Sequence, residues 1–158
     1  LYRRDPDLEP TSVKSRSGYI LALVGFPLIW KSKIQTELLL STLESEYSCL
    51  SYTMRTVLSM RSILLETIQV LELPLVLTST VSSCVFEDNA GALLLGTQHC
   101  LTNRTKYFLV KWHHFWDAVK QGVVTILKVD TKEQRADYFT KGLVRETFKH
   151  ICKLVQGW

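Results

Sequence analysis

Three carboxylates in this sequence stand where chain elements are expected to begin or end. Glu46 lies in the first turns of a long helix, Asp88 directly follows an apolar strand, and Asp137 lies in a short helix after the last strand. Acids at the ends of such elements can converge on one edge of a sheet. Their oxygens are the ligands that hard divalent cations take. Mg²⁺ keeps several waters and binds through a few carboxylates plus substrate phosphate. A pair of such ions can activate an attacking water and stabilise the leaving oxygen of a phosphodiester. Spacing alone leaves another reading open. The chain holds 15 acidic residues, and an acid on the surface or at a helix N-terminus needs no ligand to account for it.

The elements that must position these acids follow from apolar pattern and turn chemistry. Residues 1–17 are polar, carry Pro6 and Pro10, and read as a loop. Tyr19 to Val24 reads as a strand, Val24-Gly25-Phe26-Pro27 as a turn, and Leu28-Ile29-Trp30 as the start of a second strand, because Gly relaxes φ and Pro fixes it. A third short strand near Gln35 to Leu40 would complete a meander. Ser41 or Thr42 then caps a long helix. Its apolar stripe is Leu43, Tyr47, Leu50, Met54, Val57, Leu58, Leu64, Leu65 and Ile68, with Pro74 beyond its end. Val81 to Phe86 reads as a strand, Ala90 to Leu95 as a short helix ended by Gly96, and about Arg104 to Gln121 as a second long helix ended by Gly122. Val123 to Val129 is rich in β-branched residues and reads as a strand. Residues 133–141 and 145–156 read as helices. The order β-β-β-α-β-α-α-β-α-α argues for an α/β domain, a sheet covered by helices.

Composition sets outer limits. The length of 158 residues suits one domain with one core. With 46% hydrophobic and 22% charged residues the chain is globular and not disordered. The net charge of +4 is compatible with a polyanionic partner but does not require one. No signal peptide is expected at Leu1-Tyr2-Arg3-Arg4-Asp5. The longest apolar run, Gly18 to Trp30, is interrupted by Gly25 and Pro27 and is too short to span a bilayer, so no membrane partner is expected. The four cysteines form no C-x-x-C pair and read as reduced thiols of a cytoplasmic or nuclear protein. His113-His114, with His99 and Cys100 nearby, invites a metal reading, but adjacent residues on a helix point about 100° apart. They read as surface or partly buried histidines. No nucleophile elbow of the G-x-S-x-G kind is present.

Six local words then change the reading of the acids. Ser41-Thr42-Leu43-Glu44-Ser45-Glu46-Tyr47 resembles the S-T-x-E-A-E-Y motif of copia-type retrotransposon ribonuclease H domains. Val13-Lys14-Ser15-Arg16-Ser17-Gly18-Tyr19 resembles the segment leading into their second strand, and Ile29-Trp30-Lys31-Ser32-Lys33-Ile34-Gln35 resembles S-W-x-S-K-x-Q. Glu87-Asp88-Asn89 resembles the family's D-N pair, Arg104-Thr105-Lys106 its R-T-K-H, and Gln134 to Leu143 its Q-L-A-D-x-F-T-K-x-L. The words occur in the family's order over about residues 11–158.

The resemblance implies a ribonuclease H-like mixed sheet flanked by helices over residues 18–158. It also implies hydrolysis of the RNA strand of an RNA–DNA hybrid with two Mg²⁺ ions, and an upstream reverse transcriptase region in the same polyprotein. Carried over by motif, Glu46, Asp88 and Asp137 match metal-binding catalytic carboxylates, and Arg104 and Lys106 match contacts to nucleic-acid phosphates. The family's first acid lies in a D-A-D motif on its first strand, expected just upstream of Leu1, so the domain is expected to be N-terminally truncated. Asp5-Pro6-Asp7 imitates that motif, but Pro6 cannot donate to a central ladder and no apolar strand surrounds it. Tyr107 and Leu109 depart from the family pattern. The isolated chain is therefore expected to be inactive. A non-catalytic nucleic-acid-binding remnant and a host protein-interaction module stand as alternatives.

Overall fold

The computed structural model describes residues 15–37, 39, 41–72, 81–98 and 113–157. The expectations for the loop before Ser15, for Leu38 and Leu40, for Pro74, and for residues 99–112 lie outside them. That last stretch includes Arg104, Lys106 and the first half of the expected second long helix.

The chain opens with a hairpin. Strand β1 (Arg16–Leu23) pairs antiparallel with β2 (Phe26–Ile34). The loop is two residues long, Val24 at φ 52° and Gly25 at φ 86°. Two positive φ values match the right-handed twist of the flanking strands. Pro27 does not belong to the turn, as the sequence suggested. It lies in β2 opposite Ala22, next to a register shift that leaves Leu28 without a partner. β2 is an edge strand, and an edge with a bulge tolerates a residue that cannot donate.

The expected third strand is absent among the described residues 35–37 and 39. Gln35 is committed elsewhere. Its side-chain amide donates to Ser17 Oγ at 2.7 Å and to the Ser45 carbonyl at 3.1 Å, while Ser45 Oγ donates back to Gln35 Oε1 at 3.1 Å. These bonds turn the chain out of β2 and clamp it to the start of helix α1.

Helix α1 spans Thr42–Val70. Ser41 is its N-cap, and its hydroxyl accepts from the Glu44 N–H at 3.1 Å. Tyr47, Leu50 and Met54 form its buried stripe. They pack with Val85 of strand β3 (Cys84–Glu87), Ala92 and Leu95 of helix α2 (Ala90–Thr97), Phe115, Val124, and Ile126 of strand β4 (Thr125–Lys128). Removing a side chain such as Met54 from water stabilises the fold by about 1.5–3 kcal/mol. Beyond Leu58 the stripe is less deeply covered: Leu64 and Ile68 are half-buried, and Leu65 is exposed because it adjoins Leu64 on a helix and cannot share its face.

Strands β3 and β4 are parallel and in register from Cys84↔Thr125 to Glu87↔Lys128. Between them α2 starts at Asn89, whose side chain accepts from the N–H groups of Gly91 and Ala92, both at 3.0 Å. Gly96 does not end this helix; it runs on to Thr97. A Cβ at Gly96 would stand 2.8 Å from Ile126 Cδ1 and 3.1 Å from Leu50 Cδ2, so its role is close packing.

Helix α3 (Trp116–Lys120) is preceded by His113 and His114. His113 bonds to the Tyr47 hydroxyl and stacks on Trp116 with ring centroids 5.4 Å apart. The helix expected at 133–141 is a tighter 3₁₀ turn over Arg135–Phe139, and helix α4 covers Arg145–Gln156. Gln134 makes the tighter turn possible by accepting from Ala136 N–H at 3.4 Å.

The result is α/β, with one correction to the expected single mixed sheet. Among the described residues the strands form two separate two-stranded sheets, β1–β2 and β3–β4. No described strand lies between β1 and β3 to join them. No described helix is long and apolar enough to cross a membrane.

Candidate active site

Each of the three acids is placed by a short-range device. Glu46 follows Ser45, which the Gln35 clamp holds against the end of β2. Asp88 occupies the link between β3 and the Asn89 cap of α2. Asp137 sits in the 3₁₀ turn. That turn lies on β1 at Gly18, where a Cβ would stand 2.6 Å from Thr140 Cγ2. The Ser32 hydroxyl of β2 also donates to the Phe139 carbonyl at 2.6 Å. On the turn's other side Tyr138 stacks on Phe148 of α4 at 5.3 Å.

Glu46, Asp88 and Asp137 thereby line one cavity of about 1010 Å³. They sense one another's charge. Burial pushes the Glu46 carboxyl above its ordinary range; Lys141 opposes this, and Asp88 and Asp137 add to it. Burial likewise raises Asp137, against a hydrogen bond and charge from Lys141 and with a further push from Asp88. Like charges brought together out of water behave in this way.

Two residues at this site were not singled out from the sequence. Lys141 stands among the acids, its Nζ 2.8 Å from Asp137 Oδ1. Burial works against its ammonium, but the bond to Asp137 and the fields of Asp137, Asp88 and Glu46 outweigh that and hold its pKa above the usual lysine value. Asp137 remains raised despite this partner because its carboxylate is 8% exposed and the lysine 46% exposed, so loss of water outweighs a half-solvated cation. The signal for Lys141 was its i,i+4 spacing from Asp137 on a turn. Glu87 is 6% exposed. Burial drives its carboxyl up to about 8, against one hydrogen bond from the Asn89 N–H at 3.0 Å. Strand alternation, which puts Glu87 on the same face as Val85, was the available signal.

The donor chemistry of Glu46, Asp88 and Asp137 suits a hard divalent cation. Among the described residues, however, no three His, Cys, Asp or Glu side chains stand at ligating spacing. The Lys141 ammonium is the cation the acids hold.

The chain is 31% identical over 144 residues to the retrovirus-related Pol polyprotein from transposon TNT 1-94 of Nicotiana tabacum. It is 28% identical over 141 residues to that from transposon RE1, and 29% over 142 residues to that from transposon RE2, both of Arabidopsis thaliana. It is similar to a segment of transposon Pol polyproteins. The alignments take in 89% or 91% of this chain but only 9% or 10% of the relatives. The chain thus spans about a tenth of the length of the curated proteins it matches. No protein-family model and no solved structure matches it.

Proposed function

We propose that this Pol-related segment is the ribonuclease H region of a copia-type retrotransposon polyprotein, a hydrolase by descent acting on the RNA strand of RNA–DNA hybrids. The observation that carries the reading is the convergence of Glu46, Asp88 and Asp137, from three separate elements, on one cavity. Glu46, Asp88 and Asp137 would supply the oxygens for Mg²⁺, which would have to draw them closer than they stand here and displace the Lys141 ammonium. The metal would supply an activated water and charge stabilisation at the leaving oxygen. Arg104 and Lys106, outside the described residues, would meet backbone phosphates of the hybrid, and a reverse transcriptase region of the same polyprotein would deliver it.

The chain by itself is proposed to be nearly inactive. The reading calls for a further acid on the family's first strand, and the described strand acid that lines the cavity beside these three, Glu87 at the end of β3, is on a different strand. The lysine among the acids gives the non-catalytic remnant its one specific support, since an ammonium already neutralises the set. The test is release of labelled RNA fragments from an RNA–DNA hybrid in Mg²⁺. The chain is assayed alone and joined to the segment that precedes it in its coding sequence, with Asp88→Asn in both formats. Cleavage that appears only in the joined form and disappears with Asp88→Asn supports the reading. A joined form that binds hybrid without cutting it leaves the remnant.

A further inference from the structure

The outer edge of β2 has no strand beside it among the described residues. At the open end of the hairpin the Ser15 carbonyl accepts from Gln35 N–H. By antiparallel alternation, Lys33, Lys31 and Ile29 then form hydrogen-bonded pairs with Ser17, Tyr19 and Leu21. Trp30, Ser32 and Ile34 therefore turn their backbone N–H and C=O groups outward, away from β1. The bulge and Pro27 close this run at one end, and the Gln35 clamp closes it at the other. None of the residues from Trp30 to Ile34 lines the cavity shared by Glu46, Asp88 and Asp137.

The side chains along this edge differ by face. Trp30, Ser32 and Ile34 share the face on which the 3₁₀ turn sits, since the Ser32 hydroxyl bonds to the Phe139 carbonyl. Trp30 is 61% exposed and Ile34 48%. Lys31 and Lys33 share the face toward α1. There the Lys31 ammonium stands 4.9 Å from the centre of the Tyr52 ring, and the Arg55 guanidinium lies 5.9 Å from the same centre. Neither lysine has a carboxylate partner among the described residues. From Arg16 to Ile34 the charged residues are Arg16, Lys31 and Lys33, with no acid among them.

We propose that this edge binds an extended acidic segment of another polypeptide, which adds to β2 as an antiparallel strand. The segment that fits is about five residues long, with carboxylates at its second and fourth positions and apolar side chains at its two ends. In an antiparallel pair the residues opposite Lys31 and Lys33 form the closer, non-hydrogen-bonded pairs, with Cα atoms about 4.5 Å apart, which brings carboxylate to ammonium. The residues opposite Trp30 and Ile34 form hydrogen-bonded pairs and cover those exposed side chains. A second copy of β2 is disfavoured by its own charge. Pairing with itself about Ser32 would bond all the outward groups, but it sets each copy's Lys31 against the other's Lys33, and like charges directly opposite destabilise a pair. The lysines thus blunt the edge against its own kind and select an acidic strand. Such binding needs no metal and none of the three acids of the cavity, so it stands apart from the proposed hydrolysis.

The probe is the synthetic peptide acetyl-Ser-Val-Glu-Thr-Glu-Val-Ser-amide, added to the 158-residue chain in EDTA. At about twenty times its Kd it should slow hydrogen exchange of the Trp30, Ser32 and Ile34 amides by roughly tenfold or more. The amides of Lys31 and Lys33, already paired with β1, should not change. A version N-methylated on the backbone nitrogens of its Val and Thr residues keeps every charge, loses the ladder donors and should protect nothing. Charge is tested by exchanging signs. Lys33→Glu, at an exposed position, should weaken the peptide about fivefold or more. Replacing the first Glu of the peptide by Lys should restore binding to that variant, because an antiparallel strand sets this position opposite residue 33. A short oligothymidylate serves as a polyanion without a peptide backbone and should leave the three amides unprotected. Protection by the oligothymidylate or the N-methylated peptide would overturn the proposal in favour of a surface for polyanions. So would binding that leaves the three amides unprotected, binding indifferent to Lys33→Glu, or no binding at all.

Discussion

Glu87 is the residue whose chemistry is furthest from its ordinary state. Its pKa rises from 4.5 unfolded to about 8 folded, because burial disfavours the carboxylate. Below about 4.5 both states are protonated and the contribution to stability is complete. As pH rises through about 8 the folded chain must surrender a proton it holds preferentially, and the contribution is lost. Glu87→Gln keeps the acceptor for the Asn89 N–H and removes the titration. In EDTA it should match the parent near pH 5 and exceed it by about 1–3 kcal/mol at pH 9 in urea unfolding. Parallel pH curves for the two proteins would refute this. Lys141 has the complementary role. Lys141→Met should cost only about 0.5–1 kcal/mol in EDTA, because the lysine is half in water. On the proposed function, Mg²⁺ should raise the Tm of this variant more than that of the parent, since the ammonium no longer competes for the same oxygens; equal shifts would show that Lys141 and the metal do not compete.

The hairpin shows the same tension between type and place at the level of an element. A two-residue loop with positive φ at both positions favours Asn-Gly, and this chain has Val24-Gly25. Val24 is β-branched, held at φ 52°, and 89% exposed, so it pays in strain and gains nothing by burial. Val24→Asn should stabilise the chain by about 0.5–1 kcal/mol and raise Tm by roughly 2–4 °C. A lower Tm would mean that Val24 packs against something in solution.

For the whole molecule, cohesion is uneven. The core cluster draws on α1, α2, β3, β4, Phe115 and Val124, and takes no residue from β1 or β2. The hairpin is tied on by the Gln35 clamp, the Ser32–Phe139 bond and a Tyr19–Thr56 hydroxyl contact at 3.0 Å. Native-state hydrogen exchange should therefore release β1 and β2 amides about tenfold or more faster than those of residues 47–54 and of β4. Uniform protection would show that the two sheets already unfold as one unit.

Much of the local architecture was legible without coordinates. Ser41 before an acidic first turn marked the start of α1, Asp88-Asn89 marked the link between strand and helix, and Gly25 marked the hairpin. Each depends on chemistry within a few residues. The three acids were legible as types, since their position at element ends is a local property. Among the described residues of the expected third strand, Gln35 departs from it because it bonds to Ser17 and Ser45, the latter ten residues away. Gly96 was misread because its reason is Ile126 and Leu50, which no local window contains. The burial of Glu87, the arrival of Lys141 among the acids, and the division of the described strands into two sheets were decided by tertiary structure alone. Burial and strand pairing are properties of what packs alongside, and distant segments set them only when the chain has closed on itself.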